Sequence, residues 1–175
     1  MLRSLGLFHD RLSELGLWLG MMALAALATL SFAGTMSRYL LSTPLGWVPD
    51  WTGYTLAASI FITAPAVTKH GQHVAMDFIA AAATSQTVVR YLTGIAAAMT
   101  FIVLATMTWI VTDSLLAAFR AGTGTAAGYP IPRWWLLSFI TYGFGSSAVH
   151  FLRTALTAFL GKEKFSDLHI SREAN

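Results

Sequence analysis

Four long stretches of the 175-residue chain contain no Asp, Glu, Lys or Arg. They are Leu15–Ser37, Trp51–Thr68, Tyr91–Thr112 and Trp134–Leu152. A helix needs roughly 17–25 mostly apolar residues to cross a bilayer, and each stretch reaches that length. Only 11% of the residues are charged, whereas 55% are hydrophobic, so little of the chain remains for a soluble domain. The pattern predicts an all-α integral membrane protein with four transmembrane helices.

The segments outside these stretches complete the expected layout. Residues 1–14 place Leu5, Phe8 and Leu12 at helical spacing, which predicts an amphipathic helix at the membrane interface before span one. The apolar stretch that follows is longer than the roughly 7–15 residues of a signal-peptide core, so we interpret it as an uncleaved span. Between spans two and three, Val74–Ala83 is apolar but too short to cross, which predicts a short cytoplasmic interfacial helix. The expected segments are the interfacial helix at 1–14, spans at about 15–37, 51–68, 90–112 and 134–157, and a cytoplasmic tail at 158–175, within one membrane domain, 1–175.

The Lys and Arg residues are unevenly divided between the two sides of this layout. One side carries Arg3, Arg11, Lys69, Arg90, Arg153, Lys162, Lys164 and Arg172, and the other carries Arg38, Arg120 and Arg133. Because cytoplasmic segments are enriched in Lys and Arg, the larger set predicts that both termini are cytoplasmic. An independent signal is an aromatic belt on the opposite side, formed by Trp47, Trp51, Trp134 and Trp135. Since the cations flank the spans, the net charge of +3 is a topology signal and not the sign of a nucleic-acid partner.

Residues that could carry chemistry are scarce in the spans. An ion-coupled transporter usually needs an ionisable group deep in the membrane, whereas acids such as Asp113 stand at the ends of the charge-free stretches. We expect the one histidine inside a span, His150, to be hydrogen-bonded at a helix interface, since haem is commonly held by paired ligands on facing helices. His70 and His73 have no candidate third ligand beyond Asp77, and the chain contains no cysteine. We therefore expect neither a metal site nor a cofactor.

Several residues in and near the spans have expected structural roles. Arg38 and Tyr39 close span one on its outer side, which suits an interfacial anchor, a contact with a partner, or an ion pair between Arg38 and Asp50. Asp50 is expected to cap the start of span two, and Pro65 to kink or end that span. Small residues that permit close helix packing are Gly16, Gly20, Ala23, Gly143 and Ser147.

Four short motifs occur in order along the chain: Arg38-Tyr39, Trp47-Val48-Pro49-Asp50, His73-Val74-Ala75-Met76-Asp77 and Ile131-Pro132-Arg133-Trp134. In this order and spacing, the chain resembles the small membrane subunit of tripartite ATP-independent periplasmic (TRAP) transporters, the DctQ family. The resemblance covers most of the chain. The candidate partner-contact residues that it indicates are Arg38, Tyr39, Trp47, Asp50, His73, Asp77, Arg133 and Trp134.

The resemblance implies a non-enzymatic scaffold subunit of a sodium-coupled uptake system, embedded among the lipids of the bacterial inner membrane and crossing it several times. In that family a large membrane subunit holds the solute and sodium sites and moves like an elevator. A periplasmic substrate-binding protein delivers the solute, often a carboxylate. The small subunit pairs with the large one and contributes part of the docking surface for the binding protein.

Two other functions remain open on sequence alone. A small autonomous four-span transporter would need a membrane-embedded carboxylate, which the charge-free stretches do not contain. A membrane redox subunit would need a cofactor site, for which a single embedded histidine is too few.

Overall fold

A computed structural model of the chain describes residues 2–40, 42–43, 45–69, 86–124 and 131–160, with side chains from residue 10 onward except at Lys69 and Gln86. In these ranges the backbone forms α1 (Leu2–Leu40), α2 (Val48–Lys69), α3 (Gln86–Ala121) and α4 (Arg133–Leu160). The predicted all-helical class is therefore confirmed. Two of the four helices, α1 from Asp10 and α3, are long and apolar enough to cross a membrane. The interfacial helix expected between spans two and three lies outside the described residues.

Helix α1 passes through residue 14 without a break. The separate helix predicted at 1–14 is wrong in this respect, because residues 2–14 are helical but continue directly into span one. The first proline of the chain is Pro44, so nothing in the sequence forces a bend before the span. At 1.5 Å per residue, the 39 residues of α1 extend about 58 Å, which is nearly twice the thickness of a hydrocarbon core.

The two ends of α2 also differ from expectation. The amide of Trp51 donates to the carbonyl of Trp47 at 3.2 Å, so the helix starts at Val48 and the prediction that Asp50 caps it is wrong. Asp50 instead lies in the first turn, where its negative charge still complements the helix dipole. Pro65 does not end the helix, which continues to Lys69.

Helix α3 ends in a glycine cap that turns the chain back toward α4. Gly122 has a positive φ of 59°, a conformation that favours glycine. Its amide donates to the carbonyl of Phe119, and the amide of Thr123 donates to the carbonyl of Ala118, both at 3.4 Å, as in a Schellman motif. The carbonyl of Thr123 then accepts a hydrogen bond from the amide of Arg133 at 3.1 Å. The start of α4 is thereby fixed beside the end of α3.

The described helices pack side by side in the order α1, α2, α4, α3. Neighbours along the chain run in opposite directions: Gly16 of α1 lies against Ile62 of α2, while Gly34 near the other end of α1 lies against Val48. Because α1 packs mainly on α2 and α3 packs mainly on α4, they occupy the two edges of the row, although α1 also touches α4 at the end that carries Ser13 and His150. The first residue of α1 lies at the same end as the last residue of α4.

Glycines set the closest approaches between helices, as the small-residue pattern predicts. A Cβ atom added to Gly16 would lie 2.7 Å from the carbonyl oxygen of Ile62, and one added to Gly143 would lie 2.6 Å from that of Phe61. Both α1 and α4 thus pack directly on the backbone of α2. The contact between α3 and α4 is instead built on the buried side chains of Ala97, Phe151 and Ala155.

Candidate functional site

The C-terminal end of α1 and the N-terminal end of α2 enclose a cleft of about 650 Å³ that contains two of the candidate residues. Arg38 and Tyr39 come from the last turn of α1, and Val48, Pro49 and Thr52 come from the first turns of α2. Both Arg38 and Tyr39 are exposed. The cleft therefore presents a cation and an aromatic ring beside a helix start, an arrangement suited to recognising a polar surface.

Asp50 lies near this cleft but does not line it. In the part of the chain that the structure describes, Asp50 and Arg38 form no ion pair, so that interpretation of Arg38 is wrong. The Oδ2 atom of Asp50 is shielded from solvent and has no hydrogen-bond partner among the described residues, and the same is true of the hydroxyl of Tyr54 one turn later. Two neighbouring polar atoms that are shielded and unsatisfied mark this turn of α2 as a place where a further contact would be favourable.

Two further candidates, Arg133 and Trp134, lie at the junction of α3 and α4. The ring of Trp134 packs edge-on against Phe119 of α3, with centroids 5.6 Å apart, and against Trp135 at 5.9 Å. Arg133 is exposed beside them. The candidates thus form two groups, one for each helix pair, at the same end of the row. Trp47 precedes α2 and is exposed, whereas His73 and Asp77 lie outside the described residues.

A polar cluster joins α1 and α4 at the opposite end. The hydroxyl of Ser13, which is 0% exposed, lies 3.1 Å from Nε2 of His150, which is 6% exposed. One turn further, the guanidinium of Arg153 donates to the carboxylate of Asp10 at 2.8 Å. The prediction that His150 is hydrogen-bonded at a helix interface is confirmed.

The ion pair between Asp10 and Arg153 was not found by sequence reasoning. A signal was present, because Asp10 and Ser13 on α1 have the same spacing as His150 and Arg153 on α4. When two antiparallel helices carry polar residues at the same spacing, both residues of one helix can bond to both residues of the other. The spacing is too common to identify such a contact without the fold.

The arrangement offers little for catalysis or metal binding. Among the described residues, no group of three His, Asp or Glu side chains lies close enough to hold a metal ion. A second cavity, of about 390 Å³, lies between α1, α2 and α4 and is lined mainly by Leu12, Leu15, Leu19, Ile62 and Phe139. Its lining is apolar apart from the hydroxyls of Ser138 and Tyr142, so it suits a hydrocarbon group better than an ion.

Comparison with known families decides the relationship. A family model described as the DctQ component of tripartite ATP-independent periplasmic transporters matches residues 27–161, which is more than half of the chain. The chain belongs to the DctQ family. No curated protein and no solved structure matches it.

Membership in the DctQ family identifies the chain as a small membrane component of a TRAP transporter. Components of this family act in TRAP systems together with a large membrane subunit and a substrate-binding protein. The matched range contains α2, α3, α4 and the C-terminal part of α1, with both groups of candidate residues. The polar partners Asp10 and Ser13 precede it, so their contacts with α4 are features of this chain that the family match does not include.

Proposed function

We propose that this chain is the membrane scaffold of a sodium-coupled TRAP transporter, in which it pairs with the large membrane subunit and helps to dock the periplasmic binding protein. It crosses the bacterial inner membrane four times, with both termini in the cytoplasm. The large subunit carries the solute and sodium sites, and this chain braces it.

The observation that carries this proposal is the single row of helices with large apolar side chains exposed on both edges. Trp18 on α1 is 66% exposed and Trp109 on α3 is 79% exposed. Extended apolar surface of this kind requires lipid or another membrane protein to cover it. The cavity that the described residues form between α1, α2 and α4 is mostly apolar. Bracing a partner therefore suits the fold better than conducting an ion.

Two polar regions at the outer end support a docking role. The cleft with Arg38 and Tyr39 and the corner with Arg133 and Trp134 lie at the same end of the row. The carboxylate oxygen Oδ2 of Asp50, which is shielded and has no hydrogen-bond partner among the described residues, lies in the first turn of α2. We expect these groups to contact the binding protein from the periplasmic side.

Reconstitution tests the whole proposal. The chain should copurify with the large subunit encoded beside it. Vesicles containing both proteins should take up solute only when the binding protein and a sodium gradient are present. Uptake by this chain alone, or a wild-type chain that does not associate with the large subunit, would contradict the proposal.

Single-cysteine labelling tests the topology, because the natural chain has no cysteine to remove. In intact cells, Thr123→Cys beside the α3 cap, an exposed position, should react with a membrane-impermeant maleimide, whereas Arg11→Cys should react only after lysis. The reverse pattern would show that the orientation is inverted.

Charge reversal tests docking. Asp50→Lys and Arg133→Glu should reduce the uptake rate at limiting binding-protein concentration, and high concentrations should restore it. Arg120→Gln, near the same end of the row, serves as a control for general effects of removing a charge. Unchanged uptake in both reversal variants, with normal expression, would exclude these residues from the docking surface.

A further inference from the structure

The outward face of α3 carries one carboxylate in an otherwise nearly uncharged stripe. Met99, Ile102, Thr106, Trp109 and Asp113 follow each other at helical spacing, and all five are exposed. Because α3 is an edge helix whose main packing partner among the described helices is α4, this exposed stripe points away from the row. Asp113 has no ion pair or side-chain hydrogen bond within the described part of the chain.

The packing of α3 on α4 fixes how deep Asp113 lies. A Cβ atom on Gly145 would touch the side chain of Thr108 at 3.4 Å, and the rings of Phe119 and Trp134 meet at 5.6 Å. Asp113 lies between these two contacts, six residues from Phe119. At 1.5 Å per residue it is therefore about 9 Å inward of the aromatic pair.

The same register places Asp113 beside the middle of the other spans. Ile140 of α4 is the residue nearest to its level, and Gly143, less than one turn further inward, packs on Phe61 of α2. Asp113 is thus level with the α2 turn near Ala58, inside a charge-free stretch. The sequence places Asp113 just past the end of its own charge-free stretch, whereas the helix packing places it well inside those of its neighbours.

Residues typical of membrane interfaces on α1 and α4 indicate where the bilayer lies. On α4, Trp134 marks the outer interface, and Arg153, paired with Asp10, marks the inner one. They are 19 residues apart, or about 28 Å, which matches the roughly 30 Å of a hydrocarbon core. Centring the bilayer on the uncharged stretch of α3 instead would draw both Asp10 and Arg153 toward its middle. Each charge near the middle of the bilayer disfavours insertion by a factor of about one hundred. The placement with interfaces at Trp134 and Arg153 is therefore favoured.

We propose that Asp113 is an intramembrane contact residue that accepts a hydrogen bond from a Lys, Arg or other donor side chain on a helix of the large membrane subunit. An aspartate side chain is too short to reach water across about 9 Å of hydrocarbon, so the carboxylate must be satisfied at that depth. It points away from the cavity between α1, α2 and α4, so it does not supply an ion site inside the row. This inference rests on the proposed pairing of the two membrane subunits.

The test is the affinity of the co-expressed complex between this chain and the large subunit in detergent or nanodiscs. Asp113→Leu should weaken it roughly 3- to 20-fold, the range measured for hydrogen bonds between membrane helices. Asp113→Asn, which keeps an acceptor, should weaken it less. Arg120→Gln, about two turns outward on the same face, is the matched control and should change the affinity less than about twofold. The Asp113→Leu chain expressed alone should insert at least as well as wild type, because it carries one charge fewer at that depth.

The possible failures can be told apart. If the wild-type chain does not bind the large subunit, the proposed function is wrong. If wild type binds and Asp113→Leu binds equally well, the pairing stands and the role of Asp113 is wrong. Asp113→Cys should also resist a membrane-impermeant maleimide in vesicles, whereas Thr123→Cys should react. Equal labelling would show that residue 113 lies in water and would overturn the inference, as would disulfide formation between two Asp113→Cys copies within the assembled complex.

Discussion

Adding one methyl group to Gly143 tests the packing of α4 on α2. The Cβ of an alanine would lie 2.6 Å from the carbonyl oxygen of Phe61 and 3.0 Å from its Cβ and from one ring carbon. That carbonyl is four residues before Pro65, which has no amide hydrogen to bond it. The glycine therefore sits on a backbone oxygen that the helix itself leaves unsatisfied, and moving the two apart requires shifting a whole helix.

The expected effect combines two opposing terms. Replacing a helical glycine by alanine stabilises a helix by about 1 kcal/mol. Forcing an extra carbon into a filled interface costs about 1–3 kcal/mol. The net effect of Gly143→Ala should therefore be a loss of about 0–2 kcal/mol. Gly53 lies in α2 with no atom within 4 Å of an added Cβ, so Gly53→Ala should give only the gain of about 1 kcal/mol.

The comparison between these two variants is sharper than either alone, since both make the same chemical change in a helix. They should differ by about 1–3 kcal/mol, which corresponds to roughly 2–12 °C in Tm for a chain of this size. Thermal unfolding of the purified chain in one detergent, followed by circular dichroism, measures the difference. A Tm of Gly143→Ala at or above that of Gly53→Ala would refute the close backbone contact between α4 and α2.

Two further predictions concern the polar cluster that joins α1 and α4. Ser13→Ala should lower the free energy of unfolding by about 0.5–1.5 kcal/mol, and the effect should disappear in a His150→Phe background; an unchanged effect would show that the two residues are not coupled. Asp10→Asn and Arg153→Gln should show a coupling of only about 0.2–1 kcal/mol in a double-mutant cycle, because both side chains of the ion pair are partly exposed. The coupling should decrease when the salt concentration is raised from 0.05 to about 0.5 M, and a salt-independent value would indicate a fully desolvated pair.

The sequence predicted the helices well and their relations poorly, for physical reasons. Charge-free stretches show which segments can avoid water, so the sequence located all four helices. The hydrogen bond of His150 to a neighbouring helix was also predicted, because a polar side chain within an apolar stretch needs a partner. Helix ends depend on single hydrogen bonds, such as that from Trp51 to Trp47, which is why Asp50 was placed at a cap and lies in the first turn instead. The absence of an ion pair between Arg38 and Asp50 could not be foreseen either, since sequence proximity does not determine on which side of a helix end each side chain lies.

The largest difference between the sequence prediction and the inference from the structure concerns the depth of Asp113. That depth depends on how the helices pack against each other, and not on one helix alone. Read alone, α3 ends its uncharged stretch at Thr112, and Asp113 falls at the surface. In the row, Gly94 fits against Phe159 near one end of the contact, and Phe119 packs on Trp134 near the other. Sliding α3 outward by one or two turns, at 5.4 Å each, would bring Asp113 toward the headgroups but would separate both of these contacts. With the bilayer placed as proposed, the packing holds the carboxylate where lipid would not satisfy it, and a partner that does so would gain both affinity and a fixed register against α3.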